Sequence, residues 1–120
     1  METVVIIPTY NEASNIKQVI DDILNCGTDA DVLIVDDMSP DGTYKIVKEI
    51  AKTNKKVHLL VRKEKRGRGY AAKDGFIKAL GMDAKYIVEI DGDGSHQPKY
   101  IPNFIKAIEN YDIINRFAIH

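Results

Sequence analysis

The chain has 120 residues, 44% apolar and 29% charged, with 17 Lys and Arg against 18 Asp and Glu. That is the make-up of one globular domain spanning 1–120. The near-zero net charge excludes the broad basic surface that attracts nucleic acid, so any anion site must be local. The single cysteine, Cys26, excludes an intramolecular disulfide and a multi-cysteine zinc centre, and no stretch reaches about 18 apolar residues or carries a signal-peptide pattern.

Thr3-Val4-Val5-Ile6-Ile7 is short, β-branched and followed by Pro8, which predicts a buried first strand ending at the proline. From Ala13 to Leu24 the residues Ile16, Val19, Ile20, Ile23 and Leu24 recur at helical steps, with Gly27 as a stop. The cycle repeats with a strand at Val32-Leu33-Ile34-Val35, a loop from Asp36 to Thr43, and a helix carrying Ile46, Val47 and Ile50. A third strand at Val57-His58-Leu59-Leu60-Val61 leads through a charged loop to a helix holding Ala71, Ala72, Phe76, Ala79 and Leu80. A fourth strand runs from Tyr86 to Ile90, then a helix near Ile101 to Ile108 and a short strand at Asp112-Ile113-Ile114. Alternating strands and helices with continuously apolar strands predict an α/β fold: a mostly parallel, Rossmann-like sheet covered by helices on both faces. The last residues, Asn115 to His120, follow that strand with no capping element, which leaves a sheet edge in need of cover.

The loops at the carboxyl ends of strands one, two and four carry the chemistry, and in such a sheet they surround one crevice. Tyr10 offers a flat face to a base and Glu12 an acceptor for ring or ribose donors; the alternative for this loop is a helix entry with Asn11 or Ser14 capping. Asp36 and Asp37 point to opposite faces of a buried strand's end, so one is expected to be structural and the other open to a ligand. Ser39-Pro40-Asp41-Gly42 with Thr43 is good turn and helix-start chemistry and needs no functional explanation. Asp91 and Asp93, one residue apart at the end of strand four, are candidate ligands for a hard divalent ion, or else a solvated Asp-Gly turn. Counting excludes an EF-hand: from Asp91 the sixth and twelfth positions are His96 and Pro102, and from Asp37 they are Gly42 and Lys48. His96 is a minor candidate for a metal or phosphate contact.

Arg62-Lys63-Glu64-Lys65-Arg66-Gly67-Arg68-Gly69 is either a phosphate-binding loop or a solvated charged loop. Gly67 to Ala72 also matches the dinucleotide fingerprint, but after the wrong strand, so an oxidoreductase domain is a weak third reading.

Taken in order, Val5-Ile6-Ile7-Pro8-Thr9-Tyr10-Asn11-Glu12, Leu33 to Thr43, Arg66-Gly67-Arg68-Gly69 and Asp91-Gly92-Asp93-Gly94-Ser95-His96-Gln97-Pro98 resemble the family 2 glycosyltransferases, in particular the dolichol-phosphate mannosyltransferase branch. The resemblance implies a GT-A fold and an inverting transfer of mannose or glucose from GDP-mannose or UDP-glucose to a polyprenyl phosphate, with Mg2+ or Mn2+ at the donor diphosphate. It assigns Pro8, Tyr10 and Glu12 to the nucleotide, Val35 and Asp37 to its base or ribose, and Asp91, Gly92 and Asp93 to the metal-diphosphate end. Ser95 stands where a Gln ligand is common, and Arg116, in Asn115-Arg116-Phe117, resembles the family's phosphate-contacting arginine. The Asp-Ala-Asp form of the family is here Asp-Gly-Asp. The implied acceptor half has no counterpart after His120, so the chain is expected to be the donor-binding half. A cytoplasmic location with membrane-surface contact is expected. The alternative is a nucleotide-sugar-binding module that works only with a partner.

Overall fold

The structure is a computed structural model and describes residues 3–63, 68–92, 102–103 and 117–119. Five parallel strands form one sheet: β1 (Thr3–Thr9), β2 (Ala30–Asp36), β3 (Val57–Val61), β4 (Tyr86–Glu89) and β5 (Phe117–Ile119), in the order β3-β2-β1-β4-β5. Three helices connect them: α1 (Ile16–Leu24), α2 (Thr43–Thr53) and α3 (Arg68–Leu80).

β1 shows why the fold is doubly wound. Its alternate residues Val5 and Ile7 join a core with Ile16, Val19, Ile20 and Ile23 of α1 and Val47 of α2. Val4 and Ile6 point the other way, into a second core with Ala71 and Ala79 of α3. Every residue of β1 and β2 is buried, as a strand covered on both faces requires. The small residues of α3 let it lie close on the sheet. A Cβ at Gly75 would stand 2.8 Å from Ile6 Cγ2 and 2.9 Å from Val35 Cγ2, so this crossing point admits only glycine without a shift.

The predicted end of strand one at Pro8 is corrected: β1 continues through Pro8 to Thr9. Its register with β2 runs on to Thr9↔Asp36, whereas its register with β4 stops at Ile6↔Glu89. Successive residues of a parallel strand turn their amide groups to alternate neighbours. The Ile6 carbonyl accepts from Ile90 N–H on the β4 side and the Thr9 carbonyl from Asp37 N–H on the β2 side, so Pro8 faces β4. A proline there gives up no bond to β2, and its missing donor is where pairing with β4 ends. The sheet therefore parts between β1 and β4, on either side of which the chain winds in opposite directions. That is the topological switch point at which open α/β sheets bind ligands.

Other boundaries shift by a few residues. Ala13 to Asn15 form turns before α1, and β2 is longer than predicted at both ends. Leu80, placed on the inner face of its helix by periodicity, is 42% exposed. Beyond the predicted last strand, residues 117–119 form β5, which pairs in parallel with β4 from Ile87↔Phe117 to Glu89↔Ile119. Residues 102–103 are helical, while the rest of the predicted 101–108 helix and the 112–114 strand lie outside the described residues.

Candidate active site

The parting of β1 and β4 opens a crevice lined by Pro8, Thr9, Tyr10, Glu12, Asp37, Ala71, Asp91 and Gly92. One wall comes from the loops after β1 and β2, the other from the residues after β4.

The first wall is fixed by Asp36, which is fully buried. Its carboxylate accepts from Thr9 Oγ1 at 2.6 Å, from Ser39 Oγ at 2.6 Å and from Ser39 N–H at 2.8 Å. The structure thus separates the two adjacent aspartates: Asp36 is structural, and Asp37 lines the crevice. Ser39 Oγ in turn accepts from Asn11 N–H at 2.9 Å, and Thr43 Oγ1 accepts from Glu12 N–H at 3.0 Å. Asp41 accepts from Ala13 N–H and Thr43 N–H, both at 3.0 Å, and from the Thr43 hydroxyl. That hydroxyl bond is the first cause holding the Asp41 carboxyl below its ordinary pKa, with the backbone donors adding to it.

These residues are a correction to the turn reading of 39–43. Beyond forming a turn, they satisfy the backbone donors of the first loop, which carries Tyr10 and Glu12. Neither Asn11 nor Ser14 caps α1: its N-cap is Asn15, with no side-chain cap, and Asn11 is spent on the link to the second loop. Asn11 and Met38 both adopt positive φ, 57° and 56°, a conformation unfavourable for a side chain as large as Met38's. Both sit at the corners where the two loops meet.

Tyr10 is half exposed at the rim, and Glu12 accepts from Asn15 Nδ2 at 3.2 Å. Asp37 is 7% exposed and its Oδ1 accepts from Arg62 Nη1 at 2.9 Å. The reading of the charged loop as either solvated or phosphate-facing is corrected for Arg62 alone, which is turned into the protein. Lys63 is exposed, and residues 64–67 lie outside the described residues. Val35 is not at the crevice: its side chain packs in the core beneath α3.

The second wall is built by close approach. Ile90 N–H donates to the Ile6 carbonyl at 3.0 Å, and the chain then passes β1 so tightly that a Cβ on Gly92 would stand 2.9 Å from Thr9 Cγ2 and 3.2 Å from Ile7 Cγ2. Asp-Gly-Asp in place of Asp-Ala-Asp thus has a local cause, a threonine methyl occupying the space an alanine would need. Asp91 is half-buried on this wall, and Asp93, Ser95, His96 and Arg116 lie outside the described residues. A hard cation suits the oxygen-only donor here, since Mg2+ and Mn2+ combine one or two carboxylates with phosphate oxygens and water. No group of three His, Cys, Asp or Glu that could form an all-protein cage occurs among the described residues.

Sequence reasoning missed Thr9 and Ala71 as lining residues, Arg62 as the partner of Asp37, and the linking role of Ser39, Asp41 and Thr43. The fingerprint Gly67 to Ala72 does not form a tight turn after β1. Its Gly69 lies inside α3, which follows the edge strand β3.

A model of glycosyl transferase family 2 matches residues 4–115. Undecaprenyl-phosphate mannosyltransferase of Micrococcus luteus is 38% identical over 114 residues, covering 95% of this chain and 47% of its own length. Polyprenol monophosphomannose synthase of Mycolicibacterium smegmatis is 37% identical over 108 residues, 89% of this chain and 41% of that protein. Among solved structures, the mannosyltransferase PcManGT from Pyrobaculum calidifontis in complex with GDP-Man and Mn2+ superposes with a TM-score of 0.70 at 27% identity, covering 93% of this chain and 33% of that one. Glucosyl-3-phosphoglycerate synthase from Mycobacterium tuberculosis shares the fold, with a TM-score of 0.68 at 21% identity over 92% of this chain and 40% of that one. The chain spans about half the length of the curated relatives it matches. With the ordered motifs, the GT-A-type parallel sheet and the crevice at its switch point, these matches establish that the chain belongs to glycosyl transferase family 2.

Proposed function

We propose that this chain forms the donor-binding part of a polyprenyl-phosphate glycosyltransferase, which transfers mannose from GDP-mannose, or glucose from UDP-glucose, to a polyprenyl phosphate at the cytoplasmic face of a membrane. The observation that carries the reading is the crevice itself, with a base-sized aromatic and the Asp37 carboxylate on one wall and Asp91 on the other. The names of the two curated relatives support mannose and a polyprenyl acceptor, and the GDP-Man and Mn2+ of the Pyrobaculum complex support the donor and the cation.

Tyr10 stacks on the base at the rim, while Glu12 and Asp37 accept from its ring or ribose donors. Asp91, with Asp93, would hold Mg2+ or Mn2+, which would supply positive charge at the donor diphosphate. The family resemblance would give Arg116 a contact with the donor phosphates and Ser95 a hydroxyl for the cation, both outside the described residues. A lipid phosphate brings an already ionised oxygen, so inverting attack at the anomeric carbon asks little of a general base. Immobilising the donor is then the main task of these residues.

The test is transfer of labelled sugar from GDP-mannose and UDP-glucose to a short polyprenyl phosphate, using the chain within its full-length protein. Mannolipid formation dependent on Mg2+ or Mn2+ is expected. Tight donor binding with no transfer to any polyprenyl phosphate would reduce the protein to a nucleotide-sugar-binding module.

A further inference from the structure

Arg62 has no part in the reading above, yet it is the most deeply buried cation among the described residues. It is 5% exposed directly after β3, and its backbone N–H donates to the Asp36 carbonyl at 2.8 Å. Its Nη1 donates to Asp37 Oδ1 at 2.9 Å, and its Nε lies 3.0 Å from Asp74 Oδ2, an ion pair rather than an aligned hydrogen bond. Asp74 belongs to α3, one turn from Ala71, which lines the same crevice as Asp37. Burying a permanent charge is costly unless it is paired, and two carboxylates flank this one. A guanidinium is a rigid planar fork, so a carboxylate bonded to it is held in orientation as well as attracted.

We propose that Arg62 is a positioning residue for donor recognition: it holds the Asp37 carboxylate in place on the nucleoside wall and ties that wall to α3 through Asp74. The inference rests on the donor-binding reading and goes beyond it, since Arg62 acts through Asp37 and not on the ligand. Its signature is selectivity along the donor. Loosening Arg62 should weaken contacts to the nucleoside and spare those to the diphosphate.

The experiment is calorimetric titration of GDP and, separately, inorganic pyrophosphate, each with Mn2+, into the wild-type chain and the variants Arg62→Lys, Asp74→Asn, Asp37→Asn and the double variant Arg62→Lys/Asp37→Asn. Lysine keeps the charge but cannot bridge both carboxylates, and Asp74 is half exposed, so its replacement provides a fold-sparing second probe. GDP affinity is expected to fall about tenfold in Arg62→Lys and about threefold in Asp74→Asn, with pyrophosphate affinity changed less than about twofold in both. In the Asp37→Asn background, Arg62→Lys should add nothing further. Unchanged GDP affinity in both single variants, equal losses for GDP and pyrophosphate, or an additive double variant would each overturn the proposal. A wild-type chain that binds neither GDP nor, in a parallel Mn2+ titration, UDP would overturn the donor-binding reading, and this inference with it.

Discussion

The two walls of the crevice are held by different physics. On the side built by the loops after β1 and β2, two loops about thirty residues apart in sequence are joined by side-chain oxygens, Asp36 accepting from the Thr9 hydroxyl and Ser39, Asp41 and Thr43 from backbone N–H groups. On the side built by the residues after β4, Ile90 N–H donates to the Ile6 carbonyl and Gly92 is then placed by close packing, with Thr9 and Ile7 where a Cβ would stand. Thr9 belongs to both: its hydroxyl bonds Asp36 and its methyl meets Gly92. A polar lattice tolerates small movements until a buried partner is lost, whereas a close-packed contact resists even one added methyl. Substitutions on the two walls should therefore fail in different ways.

The largest effect is expected on the wall formed after β4. Asp91→Asn should lower metal-dependent GDP affinity by about 100-fold or more, since even partners behind a ligand typically cost 10–100-fold, while leaving the melting temperature nearly unchanged. Calorimetry beside a thermal melt measures both. On the wall formed by the loops after β1 and β2 the order reverses. Asp36→Ala removes the acceptor of three buried donors and should cost about 3 kcal/mol of stability, read as a shift in the urea midpoint, with lost binding only a consequence.

Thr9 sharpens the comparison because its two roles can be separated. Gly92→Ala should cost about 1–3 kcal/mol through overpacking. Adding Thr9→Ser, which deletes the methyl and keeps the hydroxyl for Asp36, should recover most of that loss in stability and in Mn2+-GDP affinity. A double variant no better than Gly92→Ala would mean that Thr9 is not what makes glycine necessary.

The smallest effect concerns pH. The folded pKa of Asp41 is lowered below its ordinary 3.8, first by the Thr43 hydroxyl and then by backbone donors. A depressed carboxylate contributes stability that is present above its unfolded pKa and is lost as pH falls through the folded one. Asp41→Asn should accordingly flatten the acid limb of the stability curve below pH 3.8 and leave its neutral part with the same slope. Equilibrium unfolding at a series of pH values checks this.

Much of the architecture was legible because fully covered parallel strands need continuous apolar runs, and Val4 to Ile7 of β1, Val32 to Val35 of β2 and Tyr86 to Val88 of β4 supply them. Pro8 misled because whether a proline ends a strand depends on which neighbour its nitrogen faces, and the sequence does not display neighbours. Asp36 and Asp37 could be recognised as divided in role, but which was structural depended on Ser39 and Thr9 being near. Ser39, Asp41 and Thr43 looked complete as a turn, since their partners lie 28–31 residues away. Arg62 was hidden in a run of surface-like charge, although its position directly after a strand was a signal that its side chain could turn inward. Gly92 was assigned to the metal-diphosphate end and noticed as a departure from the family pattern, but the reason for the departure is a methyl group on another strand.

The central claim is that one crevice takes both ends of a nucleoside diphosphate, the nucleoside against β1 and β2 and the cation at β4. Paramagnetic broadening by Mn2+ of amide resonances, recorded with and without GDP, tests it most directly. With GDP present, Asp91 and Gly92 should broaden at substoichiometric Mn2+, Tyr10 and Asp37 should shift, and His58, at the amino end of β3, should be unaffected. Broadening centred elsewhere, or GDP-induced shifts that bypass Tyr10 and Asp37, would contradict the account.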